Sequence, residues 1–398
     1  MTITINNKNK KPNVPNVRFP EFEGEWEKCK LGDVMNFSTT RVNSSELNED
    51  NYVSTENMLQ DYQGIVDAKS VPEDVNVISF SCGDILISNI RPYLKKVWKA
   101  TYNGGCSSDV FVLKANDNIE SDYLHYVIAN DKFINFVMSG AKGVKMPRGD
   151  KKQMKTYCLS LPQIQEQKKI STLLRLIDER ISTQNKIIDK LQTLIRGIMV
   201  ELQKQGLKNG TWKKFILADV LSERSELNIN LHQVFSVSVS KGVVNQVEYL
   251  GRSFSAKDTS KYHVVHYGDI VYTKSPTGSF PYGIVKQSLN HDNVAVSPLY
   301  GVYKPKNFST GMYLHQYFMS EVNTLNYLHP LIQKGAKNTI NITNQRFLEN
   351  RVAMPINADT LLVISQLLRS LNYKIEYQQS LLLQYQKQKQ YLLRQMFI

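Results

Sequence analysis

Ile170-Ser171-Thr172-Leu173-Leu174-Arg175 is met again 194 residues later as Ile364-Ser365-Gln366-Leu367-Leu368-Arg369. The offset is close to half of the 398-residue chain. Further echoes come in the same order. Trp26-Glu27-Lys28-Cys29-Lys30-Leu31-Gly32-Asp33-Val34 returns as Trp212-Lys213-Lys214-Phe215-Ile216-Leu217-Ala218-Asp219-Val220. Gly83-Asp84-Ile85 returns as Gly268-Asp269-Ile270, Tyr123-Leu124-His125 as Tyr313-Leu314-His315, and Gly140-Ala141-Lys142 as Gly335-Ala336-Lys337. Echoes in constant order indicate one unit used twice. A twice-used unit suits a two-part target such as duplex DNA.

Around the first echo the apolar spacing alternates four and three: Ile170, Leu174, Ile177, Ile181, Gln184, Ile188, Leu191, Ile195, Ile198, Leu202. The second run reads Ile364, Leu368, Leu371, Ile375, Gln378, Leu382, Tyr385, Lys389, Leu392, Met396. A repeat of 3.5 residues is the mark of a coiled-coil seam. No proline interrupts Gln163 to Gln205, and neither proline nor glycine interrupts Asp359 to Met396. Two long helices are expected, paired antiparallel, with the polar seam residues Gln184 and Gln378 meeting where they cross. Independent amphipathic helices are the weaker reading, because one globule does not cover so long a seam. Rods of ~40 residues are ~60 Å long at 1.5 Å per residue. Against ~34 Å per DNA turn, they would act as a ruler between two globules.

The regions before each rod carry short β-favouring runs broken by Gly, Pro, Asn and Asp. Asp84-Ile85-Leu86-Ile87-Ser88, Asp109-Val110-Phe111-Val112-Leu113, Asp269-Ile270-Val271-Tyr272-Thr273 and Leu299-Tyr300-Gly301-Val302-Tyr303 read as strands. A single helix is expected from Ser121 to Met138, with Ser121 as its cap. Pro162 and Pro355 mark the turns into the rods. The expected organisation is a disordered tail over 1–15, a globule over 16–161, a long helix over 162–206, a second globule over 207–355 and a closing helix over 356–398.

The net charge of +13 and pI near 9.3 point to a polyanionic partner, with nucleic acid first. Cys29, Cys82, Cys106 and Cys158 form no C-x-x-C pair and stand beside no His cluster. A disulfide scaffold or zinc site is not expected, and a reducing cytoplasm fits best. No signal-like segment opens the chain, and no run is long and apolar enough for a membrane span.

The densest basic stretch is 139–155. Lys142, Lys145, Arg148, Lys151, Lys152 and Lys155 face only Asp150, and the glycines allow close approach to phosphate. Its counterpart, 333–346, carries Lys334, Lys337, Asn338, Asn341, Asn344 and Arg346. Lysines suit phosphates; Asn pairs with adenine edges and Arg with guanine. Lys142, Lys334 and Lys337 are read as phosphate contacts, and Arg148, Asn338, Asn341, Asn344 and Arg346 as candidates for base edges. The loops after the Gly-Asp-Ile strands add Arg91, Lys95 and Lys96 in the first half, and Lys274, Ser275, Thr277 and Ser279 in the second. His263 and His266 lack a third ligand at useful spacing and are read as ordinary strand residues.

No Gly-Lys phosphate loop, no Pro-Pro of the amino-methyltransferase motif, no dinucleotide-type glycine loop and no nuclease centre stand out. The chain reads as non-catalytic, with no metal of its own.

Over about 16 to 398 the pattern resembles the specificity subunit of type I restriction–modification enzymes. The residues that carry it are Trp26 to Val34 and Trp212 to Val220, the Gly-Asp-Ile strands, the Gly-Ala-Lys stretches, and Leu161-Pro162-Gln163-Ile164-Gln165-Glu166-Gln167 with Met354-Pro355. Pro355-Ile356-Asn357-Ala358-Asp359 lacks the Pro-x-x-x-Glu-Gln of the first rod. The resemblance implies an α+β chain of two homologous mixed α/β target-recognition domains separated by two long antiparallel coiled-coil helices, pseudo-two-fold symmetric. It implies that each domain reads one half of a bipartite double-stranded DNA target. The helices would hold two methyltransferase subunits, and restriction subunits would join them. S-adenosylmethionine, ATP and magnesium would belong to those partners, with no cofactor on this chain. Two other readings are kept: a coiled-coil scaffold whose globules bind proteins, and a fused enzyme with an unrecognised active site.

Overall fold

The computed structural model describes residues 13–253, 255–334 and 340–398. The chain divides into two compact units. One joins 1–184 to 381–398, and the other is 185–380. The division falls inside both long helices, beside Gln184 and Gln378, so each unit holds one globule and part of each rod.

In the first unit, Glu27–Lys30 pairs antiparallel with Cys158–Leu161. A four-stranded sheet runs in the order Met35–Phe37, Val110–Ala115, Ile85–Ser88, Val97–Lys99. A second sheet orders Arg41–Asn43, Asn76–Phe80, Gly104–Cys106 and Tyr52–Val53, the last pair parallel. The second unit repeats the first pattern. Trp212–Ile216 pairs with Arg351–Pro355. Its four-stranded sheet orders Leu221–Glu223, Gly301–Pro305, Ile270–Tyr272, Val285–Gln287. The registers correspond: Ile85 faces Leu113 and Lys99, while Ile270 faces Tyr303 and Gln287. The echoes in sequence are therefore echoes in topology. The central strands are buried on both faces, as Ile85, Leu86 and Ile87 are, because helices cover one side of the sheet and further strands the other.

The helix expected over Ser121 to Met138 is two helices, Ser121–Ile128 and Asp131–Ser139. Asn130 breaks it, because its side chain accepts from the Lys132 N–H and starts the second helix. The first cap is Glu120, not Ser121: Glu120 accepts from the Tyr123 N–H at 2.8 Å. Ser121 Oγ instead donates to the Gly83 carbonyl. Asn13, inside the stretch expected as a tail, is held by Trp26 and Ser160.

The rods are Ile164–Lys208, 45 residues, and Ala358–Gln395, 38 residues. Ile170, Leu174, Ile177, Gln184, Ile188, Ile364, Leu368 and Ile375 are buried; Ile181, Leu191, Leu371, Gln378 and Leu382 are half-buried. Toward the end of the first rod the buried position is Met199 rather than Ile198. A straight α-helix drifts from a 3.5 repeat, and here it packs on the globule beside it. Trp212 lies against Gly206 so closely that a Cβ there would meet the ring at 2.0 Å. In the first unit the two rods run antiparallel: Asp178 pairs with Lys389 at 2.6 Å, and Arg180 stacks over Tyr385 at 5.9 Å.

Glu166 and Gln167, the pair absent from the second rod's start, are buried. Glu166 takes a bidentate pair from Arg18 at 2.8 and 2.9 Å. Gln167 accepts from the Glu120 N–H and donates to the carbonyls of Asn118 and Pro162. The second rod is started by Asn357, which accepts from the N–H groups of Asp359 and Thr360. Among the described residues, no helix is long and apolar enough to cross a membrane.

Candidate nucleic-acid interface

Two loops that lie far apart in the first half of the sequence meet in space. Lys142 and Arg148 form a bridge, with the Lys142 N–H to Arg148 carbonyl at 3.1 Å and the reverse bond at 2.9 Å. Gly143 makes the turn possible, with a left-handed φ of +94°. The Arg91 N–H donates to the Pro147 carbonyl at 2.8 Å, and the Gly149 N–H to the Asn89 carbonyl at 3.0 Å. The 142–148 hairpin therefore lies along the loop that follows the Ile85–Ser88 strand.

The cations of these loops divide into two groups. Arg91, Lys142, Lys145, Arg148 and Lys152 are exposed. Lys142 touches Asp150 at 3.3 Å with its side chain 83% exposed, and Arg148 reaches Asp109 at 3.6 Å. Such surface pairs are weak and can exchange a carboxylate for a phosphate. Asp150 is committed elsewhere. The N–H groups of Gln153 and Lys152 bond its carboxylate as cap of Lys151–Lys155, and with Lys142 they hold its pKa below the usual range. Lys95, Lys96 and Lys151 serve the fold. Lys95 pairs with Asp131 at 2.9 Å. Lys96 donates to the Thr55 carbonyl at 2.6 Å, and Lys151 lies over the rings of Phe111 and Phe37 at 4.7 and 5.2 Å. Burial lowers the pKa of Lys96 and Lys151, though Glu56 opposes this at Lys96.

In the second half, Glu223 is shared between both candidate loops. Asn344 Nδ2 donates to it at 2.6 Å, and its charge partly offsets the lowering that burial imposes on Lys274. Arg346 Nε donates to the Leu331 carbonyl at 3.2 Å. Ser279 Oγ donates to Glu321, and Thr277 closes a turn on Phe280. Ser275 and Asn341 are exposed. Gln333–Lys334 and Ile340–Asn341 form a two-stranded pair. Lys337 and Asn338 lie outside the described residues. His263 and His266 hold the Tyr300 carbonyl and Glu226, and among the described residues no cluster could hold a metal.

Asp109, Glu223 and Glu321 carry no signal in the sequence. They are isolated acids whose importance comes from what folds against them. The apolar residues Tyr93, Val144 and Met146 stand exposed among the first half's cations, a feature that charge alone does not reveal. The Gly-Val-Lys-Met run inside a basic stretch is the available signal.

Residues 23–193 match the family model described as the type I restriction modification DNA specificity domain. The type I restriction enzyme MjaVIII specificity subunit of Methanocaldococcus jannaschii is 28% identical over 211 residues, 51% of this chain and 47% of that protein. The putative MjaX specificity subunit of the same organism is 27% identical over 175 residues, 42% of this chain and 41% of that protein. These alignments span less than half the length of those relatives. The crystal structure of a type I restriction-modification system S subunit from M. genitalium shares the fold. Its TM-score is 0.64 at 12% identity, over 97% of this chain and 99% of that one. Residues 23–193 thus match a type I restriction modification DNA specificity domain, the chain is similar over about half its length to a curated specificity subunit, and its fold is that of a solved S subunit.

Proposed function

We propose that this chain is the DNA-reading subunit of a type I restriction–modification complex and carries no chemistry of its own. Each globule reads one half of a bipartite site. The rods fix the spacing and hold two methyltransferase subunits, to which restriction subunits add. S-adenosylmethionine, ATP and magnesium act on those partners, in the cytoplasm. Arg91, Lys142, Lys145, Arg148 and Lys152 take phosphates in the first globule, with Arg148 able to reach a guanine edge. For the second half-site the candidates are Ser275 and Asn341, with Lys334, Lys337 and Asn338 assigned from the sequence alone.

The observation that carries this reading is the repeated strand order of the two units, each with its rod, and what supports the candidate loops is a basic or amide-rich stretch at the corresponding sequence position of each repeat. Its test is methylation mapping in cells with and without the chain. The expected result is a bipartite motif with a fixed gap that disappears when the chain is deleted. An unchanged methylation pattern refutes it.

A further inference from the structure

The 142–148 hairpin presents something phosphate binding does not need. Val144, at its tip, is fully exposed, and Met146 is 45% exposed. Lys142, Lys145 and Arg148 surround them in sequence, with Arg91 bonded alongside. Valine can pair with neither a phosphate nor the polar edge of a base. Single apolar residues are common on surfaces, but two at one tip ringed by cations are not ordinary scatter.

The tip also stands on a braced support. The paired backbone bonds of Lys142 and Arg148, the bond from Arg91 to Pro147, and buried Pro147 fix its base. A side chain at Gly143 would be strained at its φ of +94° and would crowd the Met146 carbonyl at 3.3 Å. The hairpin is therefore built to hold its apolar end outward.

We propose that Val144, backed by Met146, is a wedge that enters the base stack of duplex DNA while Lys142, Lys145 and Arg148 hold the flanking phosphates. This rests on the DNA-reading function proposed above. Apolar wedges between base steps unstack them and kink the duplex by roughly 20–90°. In the second half, Gly335-Ala336-Lys337 leads to Asn338-Thr339-Ile340-Asn341, with Thr339 and Asn341 in the places of Val144 and Met146. The wedge is thus assigned to the first half-site alone.

The test uses the full chain in complex with its methyltransferase subunits and a duplex carrying the mapped motif. The duplex is end-labelled for energy transfer and carries 2-aminopurine in turn at each step of the first half-site. Wild type should bend the duplex and brighten 2-aminopurine at one step. Val144→Ser should abolish both and weaken binding about tenfold, the loss of one buried aliphatic contact, without changing the salt slope. Val144→Leu should restore the bend. Lys145→Ala should lower the salt slope by about one phosphate contact and leave the bend. A Val144→Ser complex that bends DNA like wild type overturns the wedge. So does a wild-type complex that binds with steep salt dependence yet leaves the duplex straight and stacked. Absence of salt-dependent binding by wild type overturns the DNA-reading function as well.

Discussion

Acid should destabilise both units through two histidines that occupy matching places. His125 lies in Ser121–Ile128 and His315 in Phe308–Tyr317. Burial pushes His125 down to about 4, helped by Lys389 and Lys99 and opposed by Asp178 and Asp122. Burial, with Lys286 adding to it, pushes His315 down to about 3. His315 Nδ1 accepts the Gln287 N–H at 3.0 Å, so a proton on that nitrogen would break the bond. The unfolded chain binds a proton at each histidine below about 6.5, and the folded chain does not. Stability from both is therefore complete above about 6.5. It drains away as pH falls and levels off only below the folded values. At pH 5 the loss is about 2 kcal/mol per histidine, since each pH unit below the free value costs about 1.4 kcal/mol. Urea unfolding at pH 7 and pH 5, read by hydrogen exchange to resolve the two units, measures it. Asparagine keeps an acceptor near the Nδ1 position, so His315→Asn should remove about 2 kcal/mol of the pH dependence in residues 185–380 and leave the first unit unchanged. His125→Asn should do the converse. If the second unit loses as much stability between pH 7 and pH 5 with Asn at 315 as with His, the buried-histidine argument is wrong.

Each globule is also seated on the rods by a pair at matching positions. Tyr126 donates to Asp178 at 2.9 Å and Asp178 pairs with Lys389, whereas Asn372 donates to Gln316 at 3.1 Å. Tyr126→Phe should cost about 1.5–3 kcal/mol, as for a hydrogen bond to a charged group, and Asn372→Ala about 1 kcal/mol, both measured by urea unfolding. High salt should shrink only the first effect. Inserting four residues after Asn185 adds about 6 Å of helix and turns the rest of the rod by about 40°. Methylation mapping should then find a changed gap or no recognition; an unchanged gap refutes the ruler. Lys152→Ala should reduce the salt slope of DNA binding by about one contact, while Lys96→Met should leave that slope intact, because Lys96 is spent on the Thr55 carbonyl. Equal slopes for both variants would contradict the separation of free cations from committed ones.

Residue order alone carries the duplication, the two rods and the two inner strands of each repeated four-stranded sheet. These rest on periodicity, which is local: a 3.5 repeat can only be a helix seam, and short β-branched runs between turn formers can only be strands in such a chain. Residue order also puts Lys142, Arg148 and Arg91 in basic loops. Which of the cations remain available is settled by packing in three dimensions. Lys95 and Lys96 adjoin Arg91 in sequence, yet Asp131 and Thr55 take them, and Lys151 lies over Phe111 and Phe37. Likewise Glu166 and Gln167 are occupied by Arg18 and Glu120. A side chain's availability depends on partners tens of residues away, brought to it by strand register and helix packing. Composition and spacing along the chain do not encode that proximity, so the loops were legible and the division of labour within them was not.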